Sequence, residues 1–111
     1  MFSMEVVTKH ILLESRKSIN GLEVSDNLGL MNWYEAVEVC KKLGPGWRLP
    51  TKDELNMLYK NKEEIGGFAR YNYWSSTEDA HNNAWSQVFN DGNQFYASKT
   101  NTLYVRAVRA S

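Results

Sequence analysis

Two helix-start signatures of one type, Asn32-x-x-Glu35 and Thr51-x-x-Glu54, stand close together in the first half of the chain. In each, a short polar side chain accepts from the backbone three residues on, and the glutamate there reaches back to the cap. After Asn32, the residues Trp33, Ala36, Val37, Cys40 and Leu43 recur at helical spacing and give one apolar face. Lys41 and Lys42 fall in the last turn, where cations suit the helix dipole, and Gly44-Pro45 ends the helix. After Thr51, the buried stripe is Leu55, Leu58 and Tyr59, and the helix stops near Lys60-Asn61.

Everything around these two helices reads as strand and turn. Glu5-Val6-Val7, His10 to Leu13 and Leu22-Glu23-Val24 are short β-type runs, with Asn20-Gly21 a strong hairpin turn. Trp47-Arg48-Leu49-Pro50 is extended, because the residue before a proline avoids the α region. Gly66-Gly67 marks a loop. Tyr73 to Thr77, Ala84 to Phe89 and Gln94 to Ser98 are strands, separated by an Asn90-Asp91-Gly92-Asn93 hairpin turn and followed by a turn at Lys99 to Thr102. Leu103 to Arg109 alternates and reads as one strand, with Arg106 and Arg109 out of phase and so on opposite faces. The order of strands, two helices and a β-meander is an α+β layout. With 111 residues, the chain makes one domain, 1–111, long enough to bury a core without disulfide or metal.

Composition removes several classes of function. Thirteen basic against thirteen acidic residues leave no net charge, so neither a nucleic-acid stripe nor a polybasic membrane anchor is present. No apolar run reaches membrane-spanning length, and the start, Met1 to Glu5, lacks the basic and apolar regions of a signal peptide. The expected location is the cytoplasm for a complete protein, and a cell surface or phage particle for a module of a larger exported one. The single cysteine, Cys40, precludes an intrachain disulfide and a cysteine zinc cluster. It lies on the apolar helix face as a small buried hydrophobe.

Five segments then follow one pattern: Trp33-x-x-Ala36; Gly46-Trp47-Arg48-Leu49-Pro50-Thr51 running on to Leu55; Tyr73-Trp74-Ser75-Ser76-Thr77; Ala84-Trp85; and Tyr104 to Arg109. Each alone is weak, but five in this order are specific. The chain resembles the family of the C-terminal domain of the bacterial collagen-like adhesin Lcl over residues 22 to 109. The resemblance implies a C-type-lectin-like fold: two helices packed on a small twisted antiparallel sheet with long loops. It also implies kinship with the formylglycine-generating-enzyme branch, through the Trp-Arg-Leu-Pro-Thr segment, and with the variable proteins of diversity-generating retroelements. Such domains serve as adhesin tips and extracellular binding modules.

Candidate chemistry is sparse. Ser75-Ser76-Thr77 lacks the Gly-x-Ser-x-Gly elbow of a nucleophile, and no motif links His10 or His81 to it. Asn90-Asp91 is similar to the Asn-Asp of a calcium-dependent lectin, but the accompanying Glu-Pro-Asn or Gln-Pro-Asp motif is absent and the segment is already explained as a turn. No metal or cofactor is therefore expected. Trp33, Trp47, Arg48, Glu54, Trp74, Trp85 and Arg106 are assigned to the scaffold, with Arg48 bracing Glu54 or loop carbonyls.

The remaining signal is the polar and aromatic stretch from Tyr71 to Asn101. Tyr71, Asn72, Glu78, His81, Asn82, Asn83, Gln87, Asn90, Asn93, Gln94, Tyr96 and Asn101 are the candidate ligand-binding residues. Asn and Tyr supply adaptable hydrogen bonds and rigid contact area, as in antibody paratopes. The expected partner is a protein, with a glycan as the second choice. The alternatives are an oxidase of the formylglycine-generating type, which needs paired cysteines, and a purely structural trimerising head.

Overall fold

The computed structural model describes residues 17–110, so the two earliest strand runs of the sequence reading, Glu5 to Val7 and His10 to Leu13, lie outside the described residues. In chain order the elements are β1 (Lys17–Ile19), β2 (Leu22–Val24), β3 (Leu30–Met31), α1 (Trp33–Lys42), α2 (Lys52–Lys60), α3 (Lys62–Ile65), β4 (Asn72–Asp79), β5 (Asn83–Val88), β6 (Gln94–Ser98), β7 (Leu103–Tyr104) and β8 (Val108–Ala110). Among the described residues, the single-turn helix α3 is the one helix the sequence did not lead us to expect. Two sheets form, an antiparallel β1-β2-β8 and a five-stranded β3-β7-β4-β5-β6 in which only β4 and β7 run parallel.

Local chemistry sets these elements as the sequence requires. Asn20 and Gly21 both take positive φ, 48° and 80°, and close the β1–β2 hairpin. Asn32 and Thr51 each make a complete capping box with Glu35 and Glu54. A further N-terminal donor of α2, the Lys52 N–H, is met by Thr77 Oγ1 at 2.9 Å. Ser75 to Thr77 form an irregularity in β4, where the β5 register shifts between Trp74 and Glu78. Ser75 Oγ donates to Trp85 O at 2.7 Å, Ser76 N donates to Pro50 O at 2.7 Å, and the Thr77 hydroxyl is the one that meets α2.

The five-stranded sheet separates two cores. Tyr73 and Trp74 are adjacent, both fully buried, and point to opposite sides, as strand geometry demands. Tyr73 joins Leu55, Leu58, Ile65 and Phe89 beneath α2, with Leu22, Val24 and Val108 from the smaller sheet. Trp74 joins Ala36 and Cys40 of α1 with Trp47, Leu49, Ala84, Val105 and Ala107. Burying rings of this size contributes about 2–3 kcal/mol each. The indole donors are also satisfied: Trp74 Nε1 bonds Met31 O at 3.0 Å, and Trp33 Nε1 bonds Ser75 O at 2.9 Å.

The run from Leu103 to Arg109 is not one strand. β7 and β8 belong to different sheets, and Val105, Arg106, Ala107 and Val108 are all buried, so the two-residue alternation read from the sequence fails there. The physical reason is a crossing beside the loop at 25–29. There Leu28 N bonds Val105 O at 2.8 Å, and Ser25 serves both the backbone N and O of Ala107.

Candidate functional site

The register of the β4-β5-β6 meander decides which polar residues share a face. Tyr73, Gln87 and Gln94 lie in one cross-strand row, Trp85 and Tyr96 in the next, and Asp79, Asn83 and Ser98 in the third. This is the α2 side of the sheet. The N-terminal turn of α2 covers the first row. Gln94 Nε2 donates to Lys52 O at 3.0 Å, and Gln87 Nε2 donates to Asn56 Oδ1 at 2.9 Å and to Gly92 O at 3.0 Å. Gln87 is therefore an interior group with no exposed surface, in contrast to its assignment to the binding set. Its amide ties the hairpin turn to α2.

Beyond the helix end the sheet face is open. Trp85 belongs to neither core and is only half-buried, so its assignment to the scaffold needs correcting. Its ring meets Tyr96 edge-on with centroids 5.2 Å apart, and the Lys52 ammonium sits 3.7 Å from its centre. Tyr96 is 55 % exposed and Asn83 is half-buried beside it.

The other candidates divide between the two ends of the meander, separated by β5, whose six residues span about 17 Å at ~3.3 Å per step from the first to the last. Glu78, His81, Asn82 and Asn101 lie at the end where α1 begins, adjoining Asn83. His81, Asn82 and Asn101 are exposed on tight turns. Their backbone is pinned: Lys99, buried, donates through Nζ to Glu78 Oε1 at 2.5 Å and His81 O at 2.9 Å, and through its backbone N to Asn82 O at 2.8 Å. Tyr71, Asn72, Asn90 and Asn93 lie at the opposite end. Tyr71 stacks on Tyr104 at 6.1 Å, beside a groove lined by Leu30, Asn72, Thr102 and Leu103. Asp91 Oδ1 accepts from Asn93 N at 2.9 Å, which makes Asn90 to Asn93 a self-bonded turn. The polar third is thus presented on strands and tight turns: only Ala80 to Asn82 connect β4 to β5.

The arginines are internal braces. Arg48 forms a two-pronged pair with Glu54, at 2.6 and 2.9 Å, and this hydrogen bond holds the Glu54 carboxyl below its ordinary range against the opposing effect of burial. Arg106 is buried, and among the described residues no carboxylate lies within ion-pair distance of it, although Asp26 acts on it from further off. Its guanidinium donates to Ser25 O and Gly66 O, both at 2.7 Å, lies 4.1 Å from the Phe68 ring centre, and has its pKa lowered by desolvation. Arg109 pairs with Glu23 across β2–β8 and stacks on Trp47. Cys40 is fully buried, and burial pushes its thiol pKa up to about 12. Among the described residues no cluster of three His, Cys, Asp or Glu side chains is placed to hold a metal, and no helix is long and apolar enough to cross a membrane.

Sequence reasoning missed Lys52, Phe95 and Lys99. The signal for Lys52 was present in its place at the first turn of α2, but the Trp85 ring it covers is fixed only by the register of β5.

No curated protein matches the sequence. Among solved structures the chain is similar to botrocetin, at TM-score 0.68 and 13 % identity over 87 % of this chain and 97 % of that one. A chain of the complex of botrocetin with a mutant von Willebrand factor A1 domain gives 0.66, 12 %, 87 % and 97 % for the same measures. EMS16, described as an antagonist of the collagen receptor integrin alpha2beta1, gives 0.66, 14 %, 87 % and 98 %. These likenesses establish a C-type-lectin-like fold. The model of the Lcl C-terminal domain matches residues 13–109, and the chain belongs to that family.

Proposed function

We propose that the chain is a non-catalytic module that binds a protein partner through the open α2-side face of the β4-β5-β6 meander. The contact set is Trp85 and Tyr96 with Lys52 and Asn83, continued by His81 and Asn82 on the adjoining turn. The observation that carries this reading is the Trp85–Tyr96 pair. Two large rings stand at the surface, while the backbone beneath them is locked by the Lys99 contacts on one side and the Gln87–Gln94–Asn56 bonds on the other. Rigid aromatics flanked by adaptable amides are what a binding surface needs, because little is lost in ordering them. The similarity to a chain from a complex of botrocetin with a von Willebrand factor A1 domain, and to an antagonist of an integrin, supports a protein partner. Chemistry is disfavoured by the buried, high-pKa Cys40 and by the Ser75 hydroxyl, which is committed to the Trp85 carbonyl.

A photo-activated cross-linker in place of Tyr96, exposed to a cell-surface protein extract, tests the reading. One in place of Glu63 on α3, whose side chain is 93 % exposed, is the control. The expected result is a discrete protein adduct through position 96 and none through position 63. Equal labelling from both positions would overturn it. A glycan is the second reading, favoured by the stacked Tyr71–Tyr104 pair beside Asn72 and Thr102.

A further inference from the structure

We propose that β6 is a self-association edge, on which a second copy of this chain docks its own β6 antiparallel about a two-fold axis at Tyr96. Among the described residues β6 is the last strand of the five-stranded sheet. Its bonds to β5 alternate with the pairs anchored at Val88 N–Asn93 O (2.9 Å) and Lys99 N–Asn82 O (2.8 Å). In the register Ser86↔Phe95 and Ala84↔Ala97, the inward-bonded residues of β6 are therefore Phe95 and Ala97. The N–H and C=O groups of Gln94, Tyr96 and Ser98 point out of the sheet.

Edge strands of monomeric proteins are blunted by lysine, proline, charge or a bulge. From Gly92 to Ser98 there is no charge, no proline and no register shift against β5. The adjacent lysine, Lys99, is buried and bound to Glu78, so it does not guard the edge. Both large side chains of the strand are more than half exposed, Phe95 at 54 % and Tyr96 at 55 %, on opposite faces.

The strand is also complementary to itself. About an axis at Tyr96, Phe95 falls opposite Ala97 of the second copy, Gln94 opposite Ser98, and Tyr96 opposite itself. Large meets small on the Phe95 face, and the outward backbone groups of 94 and 96 and the N–H of 98 lie in hydrogen-bonding register; the Ser98 carbonyl, which accepts from Asn101 N at 3.0 Å, has its second lone pair for the other copy. The chain carries no net charge to oppose the approach. The Phe95 and Tyr96 rings of two copies, each about half of a 150–250 Å² side chain, bring roughly 400 Å² together. That places the pair at the small end of specific interfaces, below about 1,200 Å² in total, and makes it reversible. The product is a ten-stranded sheet in which the two Trp85–Tyr96 faces join side by side. The pairing does not rest on the partner-binding reading.

Sedimentation velocity over a concentration series tests it. The wild-type chain is expected to show a reversible monomer–dimer equilibrium. Phe95→Lys lies on the face opposite Trp85 and Tyr96, so it is expected to weaken the dimer at least about tenfold without touching the proposed binding face. Oxidising a mixture of Phe95→Cys and Ala97→Cys chains is expected to give a mixed disulfide, because directly opposed residues in such a pair lie about 4.5 Å apart at Cα. Phe95→Cys alone is expected to cross-link far more slowly. A wild-type monomer at every concentration, a trimer, a dimer untouched by Phe95→Lys, or no mixed disulfide would overturn the proposal.

Discussion

The ammonium of Lys99 lies 4.3 Å from the centre of the Trp33 ring, and with it the last turn of the meander is fastened to the first turn of α1. The backbone repeats the connection, since Trp33 N donates to Lys99 O at 3.0 Å. A buried cation is tolerated here because a carboxylate, a carbonyl and a π face all meet it. Lys99→Met keeps the stem and removes the charge, leaving Glu78 and the His81 carbonyl without their donor. Because Glu78 is half exposed and rehydrates, the expected loss is about 1–2 kcal/mol, read from urea unfolding, and not the larger cost of a fully buried pair. Unchanged stability would show that the contacts do not fasten the turn.

Gly92 sits at φ +83°, and a Cβ there would fall 2.5 Å from Tyr59 Cε2. Gly92→Ala therefore meets two penalties: a left-handed backbone, at about 1–2 kcal/mol, and a clash with a ring that packs on Phe89. The expected total is about 2–3 kcal/mol. In a Tyr59→Ala background only the backbone part remains, so a thermal-melt double-mutant cycle is expected to show coupling of about 1 kcal/mol.

Much of this frame is legible in the sequence, and for local reasons. Asn32, Thr51, Glu35 and Glu54 specify both principal helices because capping chemistry acts within four residues. Asn20-Gly21 and Asn90 to Asn93 specify turns through backbone conformations that few residues tolerate. What depends on register or on distant contacts is not legible. Whether Gln87 faces solvent or Asn56, and whether Trp85 is core or surface, turns on which face of β5 α2 covers, and the bonds that decide it join residues far apart in the chain. The four consecutive buried residues from Val105 to Val108 break the alternation for the same reason, since the loop at 25–29 crosses there.

Stability is expected to fall on acidification partly through one pair. The Arg48 hydrogen bond holds the Glu54 pKa below its unfolded value, which is about 4.3. Its contribution is fully present above that value and is lost as pH drops through the lower, folded one. The pair is partly exposed, so the effect is under about 1 kcal/mol. Glu54→Gln keeps the capping box, since glutamine serves at that position. Urea melts at pH 7 and pH 3 are expected to differ less for Glu54→Gln than for the wild type.

Cys40 is expected to be inert in the folded chain. With full burial and a thiol pKa of about 12, thiolate is scarce at neutral pH. A chromogenic disulfide reagent at pH 8 is expected to label it only at the rate of unfolding, and fully in denaturant. Rapid native labelling would reopen the oxidase alternative.

The partner-binding face is most directly tested by calorimetric titration of the protein cross-linked through position 96 against the wild type and a His81→Ala, Asn83→Ala, Tyr96→Ala triple variant. Gln94 is left intact because its amide braces α2. The expected result is at least a tenfold weaker Kd, about 1.4 kcal/mol, with a melting temperature within about 3 °C of wild type. An unchanged Kd in a folded triple variant would contradict the assignment of this face.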